Sequence, residues 1–170
     1  MTGTFWEFSI KLYETPSVSD ECLMLQDNYG INVNLLLFCA FVGRDKIALS
    51  DEDIEKISLV TKNWHVYVVK PLRDVRRSIK QMLDSGSISE PGATAALRSE
   101  VKALELQSEK LEQEWLDGWA RINAPQSRGF DAEETVRGNI RLFLALNNAE
   151  TARSPERLIL ETLSLHDSVK

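Results

Sequence analysis

Between Val33 and Val42 the only polar side chain is Asn34; the other nine are apolar. A helix that is apolar on every side has no solvent face and belongs inside a fold. At ~1.5 Å per residue this one spans roughly 15 Å, about half a bilayer core, too short to cross a membrane. The rest of the chain alternates in ways that predict amphipathic helices around it. Thr4-Phe5-Trp6-Glu7 has the spacing of a capping box and opens a first helix that ends near Pro16, with Trp6, Ile10 and Tyr13 on one face. Val18, Cys22, Leu25 and Tyr29 recur at helical spacing in a second, starting near Ser17 or Ser19. Gly30 suits its left-handed close, and Asn32 suits the N-cap of the central helix, which Gly43 ends.

The longest regular pattern follows Ser50-Asp51-Glu52-Asp53, an acidic N-cap at the positive end of a helix dipole. Ile54, Ile57, Thr61, Trp64, Val68, Leu72, Val75, Ile79 and Met82 repeat at intervals of three and four. That predicts one helix to about Asp84, kinked near Tyr67 because Pro71 removes a backbone donor. HVYVV (65–69) is also rich in β-branched residues, but a strand there has no partner elsewhere in the chain. SGSISEPG (85–92) is a loop or hinge. Beyond it, Leu97, Val101, Leu104, Leu111, Trp115, Trp119 and Ile122 predict a fifth helix ending before Pro125, with Ser108 in the stripe and Glu, Lys and Gln between. It is either an outer bundle helix or a short coiled coil. Asp131 caps a sixth helix with Val136, Ile140, Phe143 and Leu144 inward. Ser154-Pro155 starts a seventh carrying Leu158, Ile159, Leu160 and Leu163.

The expected fold class is therefore all-α: a single-domain bundle of about seven helices around a short, fully apolar central helix. Residues 1–84 form one half, 85–92 a loop or hinge, and 93–170 the C-terminal helices. At 170 residues, 43% hydrophobic and 27% charged, the chain can bury a core without staples. The net charge of −6 disfavours bulk binding to nucleic acid or anionic membranes. Cys22 and Cys39 lie among apolar residues and read as buried thiols of a reducing compartment. No signal peptide is visible in MTGTFWEFSI, so a cytoplasmic location is expected.

Two stretches, CLMLQDNYGINVNLLLFC (22–39) and WHVYVVKPLRDVRRSIK (64–80), together with Trp6 and Tyr13, resemble a family of small uncharacterised proteobacterial proteins. That family carries an LQD…G-(D/N)-VNLLLFC motif and a later W…VV-PLR-x-VRR-x-LK motif. Asn32 stands where Asp is common and Ile79 where Leu is common. The resemblance runs from about Trp6 to Lys80. It implies a bacterial cytosolic protein and brings no activity, substrate or cofactor.

Candidate chemistry falls in two groups. Gln26, Asp27, Asn32 and Asn34 cluster around the turn before the central helix, as a ligand pocket or as a hydrogen-bonded cap. The capping reading is ahead, and Asp27, at a helix C-terminus, needs compensation from the free amides at the start of the central helix or from an arginine. Lys70, Arg73, Arg76, Arg77 and Lys80 follow the proline; they are a phosphate, RNA or acidic-protein contact, or a solvated face. A third reading joins the groups: Arg73 or Arg76 pairs with Asp27, while Arg77 and Lys80 stay exposed. His65 and His166 are far apart, and neither has a ligand at helical spacing, so no metal site is expected. No nucleophile elbow, Walker loop or dinucleotide motif is present, and no cofactor is called for. The leading expectation is a non-catalytic binding or adaptor protein whose partner is a protein, with RNA or a phosphate-bearing ligand as the other candidates. The alternative is an enzyme or small-molecule binder with a polar pocket near Asp27, Asn34 and Arg73/Arg76.

Overall fold

In a computed structural model, residues 4–123, 131–149 and 154–167 are described. The fold is all-α: α1 Phe5–Tyr13, α2 Pro16–Tyr29, α3 Val33–Arg44, α4 Asp51–Trp64, a π-helical turn His65–Val69, α5 Lys70–Asp84, α6 Pro91–Asn123, α7 Ala132–Leu146 and α8 Glu156–Asp167. The run from α4 through the π turn to α5 is unbroken, so the described residues make seven helical rods. No strand occurs among them. The chain clusters into two compact units, Met1–Val60 with Gln113–Lys170, and Thr61–Glu112. The predicted loop at 85–92 lies inside the second unit.

The first unit is built around α3, whose twelve residues are all buried. Helices α1, α2, α7 and α8 pack on it, and the last turns of α6 contribute Leu116 and Ala120. Phe5 and Phe8 of α1 stack against Phe38 and Phe41 with ring centroids 5.3–5.5 Å apart. Trp119 meets Phe38 edge-on at 6.2 Å. Arg44 closes α3, its guanidinium 4.9 Å from the Phe41 ring centre and 5.1 Å from that of Phe8. Gly43 does not end the helix as its sequence position suggests. A Cβ there would sit 2.9 Å from Cα of Val136, so the glycine lets α7 approach α3 closely.

Most caps follow the sequence. Thr4 and Glu7 complete the capping box, Gly30 closes α2 at φ 69°, Asn32 caps α3 and Asp131 caps α7. Three details differ. Helix α2 starts at Pro16 with Thr15 as its N-cap residue. The first-turn amides of α8, Arg157 N and Leu158 N, donate to the carboxylate of Glu21 on α2, 3.1 and 3.0 Å away. And α1 buries Phe5, Phe8 and Leu12, while Ile10 and Tyr13 are exposed. Helix α6 is described to Asn123; Pro125 lies outside the described residues.

The second unit holds the π turn, α5, the connection 85–90 and α6 up to Glu112. The helix continues through Pro71, and HVYVV is its π turn: Lys70 N donates to His65 O, five residues back. A wider turn just before the proline relieves the clash its ring would otherwise make with the preceding turn.

Candidate functional site

The polar turn before α3 resolves into caps. Asn32 Oδ1 accepts from Asn34 N at 2.9 Å. Asn34, buried, turns its own Oδ1 to the amide of buried Gln113 at 2.8 Å. Gln26 is half-buried and donates to exposed Asp27 at 3.4 Å. This is the geometry of a hydrogen-bonded helix junction: the polar residue in the first turn of the central helix is answered by one polar residue of α6.

The arginines are placed otherwise. Arg73 is buried; its Nε donates to Glu105 Oε1 at 3.2 Å and its Nη2 to Glu109 Oε1 at 2.6 Å. Arg76 grips Glu105 through Nε and, at 3.2 Å, through Nη2. The carboxylates they engage are thus Glu105 and Glu109, not the expected Asp27. The Arg76 guanidinium is pushed further above its usual range by its hydrogen bond to Glu105. Burial raises the Glu109 carboxyl against the opposing pull of Arg73. Two turns earlier, His65 Nδ1 lies 3.2 and 3.3 Å from the two oxygens of fully buried Glu112, and Trp64 Nε1 donates to Ser108 O at 2.9 Å. Lys80 is exposed and pairs with Asp84 at 2.7 Å, while Arg77 is half-buried.

The sequence reading therefore missed the acidic half of this constellation. Glu105, Ser108, Glu109 and Glu112 recur at i, i+3, i+4 and i+7, a stripe as regular as any apolar one. It faces α5, whereas Leu97, Leu104 and Leu111, expected inside, are half exposed. The partners run up one helix and down the other, so α5 and α6 are antiparallel. Around that paired face, Arg77 and Lys80 on α5 and Arg98 and Lys102 on α6 fall at helical positions on one common side, with Lys70 at its edge.

The comparison with known families spans both stretches singled out in the sequence. Residues 4–116 match a family described as a protein of unknown function, DUF2390. The chain belongs to that family. The DUF2390 match extends beyond Lys80 and takes in the glutamate stripe of α6. No curated protein and no solved structure matches the chain.

Other features carry less. The thiols of Cys22 and Cys39 are free and buried; burial pushes Cys22 up to about 12 and Cys39 higher still, so neither is a ready nucleophile. A cavity of about 480 Å³ opens beside α7 and the start of α8, lined by Arg141, Leu144 and, already paired with each other, Arg137 and Glu156; no predicted site residue reaches it. Among the described residues no cluster of three or more His, Cys, Asp or Glu is placed to hold a metal ion. No described helix is long and apolar enough to cross a membrane.

Proposed function

We propose that the protein is a non-catalytic binding or adaptor protein that holds an acidic protein partner on the basic side of the α5–α6 pair. One observation carries this reading. Arg77, Lys80, Arg98 and Lys102, with Lys70 at the edge, gather on one side of the pair in a chain whose net charge is −6. Two of the five cations that the sequence groups together, Arg73 and Arg76, are spent on Glu105 and Glu109, so they hold the helices in place rather than meet a ligand. That also argues against the alternative small-molecule pocket, which needs those two guanidiniums. A nucleic acid is the weaker fit, because carboxylates such as Asp84 interrupt the patch and few cations are left to displace counterions. The two free thiols support a reducing, cytoplasmic setting, and the two sequence motifs a proteobacterial origin.

The test is affinity capture from the native host with the wild-type chain and with Arg77→Glu/Lys102→Glu. Support is a protein captured by the wild type, lost with the double variant and weakened as salt rises. Equal capture by both chains, or capture of RNA alone, overturns the reading.

A further inference from the structure

The side of the α5–α6 pair opposite its cations is also organised. On α5, Val68, Val75 and Met82 are seven residues apart; on α6, Leu97, Leu104 and Leu111 are too. The ion pairs fix the register between them. His65 meets Glu112, Arg73 meets Glu109 and Glu105, and Arg76 meets Glu105. Continuing that register sets Val68 level with Leu111, Val75 with Leu104 and Met82 with Leu97. Relative to the residues that each helix turns to the other, both stripes are displaced in the same rotational sense, by about a quarter turn on α6 and about a third of a turn on α5. Because the helices are antiparallel, displacement in the same sense puts both stripes on the same side. The result is three apolar tiers two residues wide. Val75, Met82, Leu97, Leu104 and Leu111 are 42–52% exposed there.

We propose that this side docks on the same side of a second copy of the chain, closing a four-helix bundle. Three arguments select that occupant. First, the flanks of the tiers are mostly small or neutral, Ser78 on α5 and Ala93, Ala96, Ala103 and Gln107 on α6, with Glu100 and Lys110 the charged residues among them, one of each sign. A strongly charged partner of either sign finds only one opposite charge there, whereas a second copy brings an equally apolar surface whose two charges cancel. Second, a strict seven-residue repeat on both helices calls for a partner with the same repeat and supercoil, and a second α5–α6 pair has both. Third, the side measures roughly 30 Å by 20 Å, about 600 Å² per copy and about 1,200 Å² in all, at the lower limit of specific interfaces. A weak, reversible dimer follows. This inference stands apart from the basic-side reading, since it uses the opposite side.

Sedimentation equilibrium of the full chain, from about 1 to about 200 µM, tests it. The expected mass rises from one chain toward two. Dimerisation should hold or strengthen as salt rises, because screening relieves repulsion between two chains of charge −6; partner binding on the basic side should weaken. Leu104→Glu should raise the dissociation constant at least about tenfold, through burial of an unpaired charge, and Lys102→Glu should not. Should Leu104→Glu fail to fold, Leu104→Cys decides: its oxidation should join two chains, while Lys102→Cys, on the far side, should not. A single-chain mass at every concentration overturns the proposal, as does a dimer indifferent to Leu104→Glu or cross-linking equal at 104 and 102.

Discussion

The two units keep water out by different means. Around α3 the interior is mostly hydrocarbon, and polar groups enter it singly, the two buried asparagines each with dedicated partners. Asn34 meets Gln113; Asn139 reaches from α7 to accept from Leu49 N and to donate to the carbonyls of Cys39 and Ile47. In the α5–α6 pair the facing positions are charged: two arginines and a histidine against three glutamates, with Val69 and Ser108 between. Burying a large apolar side chain contributes about 1.5–3 kcal/mol, whereas a buried ion pair roughly breaks even after desolvation. The first unit is thus held by its content. The second is held by correct pairing, which fixes register more than it adds stability, and this frees its apolar residues for the outside.

The sharpest way to break this comparison is to unpair the second unit. Arg73→Gln removes a cation shared by buried Glu105 and half-buried Glu109 and should cost about 3–5 kcal/mol in a denaturant melt. Replacing the whole network together, Arg73→Met, Arg76→Leu, Glu105→Leu and Glu109→Met, should leave stability unchanged or raise it. If the single variant costs nothing, the pairing is ornamental and the contrast between the units fails.

The equivalent cut in the first unit is Leu36→Ala, in the middle of α3. It should cost about 2–5 kcal/mol, since nothing polar is at stake and the loss is transfer energy plus a cavity. An unchanged melting curve would remove α3 from the centre. Gly43→Ala probes the same packing from the other direction. Its methyl would press on the backbone of Val136, and a loss of about 1–3 kcal/mol is expected. A neutral result would mean that α7 can retreat from α3.

The same contrast explains what could be read from the chain. Helix ends were legible because caps act locally: Thr4, Gly30, Asn32 and Asp131 each satisfy backbone groups a few residues away. The buried α3 was legible because no face of it could meet water. Which face of α1 turns inward was not, since Trp6-Ile10-Tyr13 and Phe5-Phe8-Leu12 both fit helical spacing in nine residues. The α6 stripe was misread for a deeper reason. Apolar positions are assumed to be inside, and a row of glutamates contradicts that only when another helix supplies the cations. The clue was present as two rows, Arg73-Arg76 and Glu105-Glu109-Glu112, but neither sequence alone says that they meet. Gln113 and Asn139 gave no comparable signal: each is a lone amide inside a stretch that reads as an ordinary amphipathic helix.

The smallest expected effect is a slope. Burial raises the Glu109 carboxyl above its unfolded value of 4.5, so within that window the folded chain holds a proton that the unfolded chain has released. Stability contributed by this group is present at and below the unfolded value and is lost as pH rises through the folded one. Arg73, 2.6 Å away, limits the loss without abolishing it. Glu109→Gln keeps a hydrogen-bond acceptor and cannot titrate. Stability of this variant relative to wild type should therefore improve as pH rises above about 4.5, the normal value for the group. Denaturant melts of both chains across that range measure the difference. If wild type gains on the variant as pH rises, the charge of Glu109 is welcomed by Arg73 more than it is penalised by burial. The α5–α6 interface would then be held by attraction and not merely aligned by it, and the contrast between the two units would narrow.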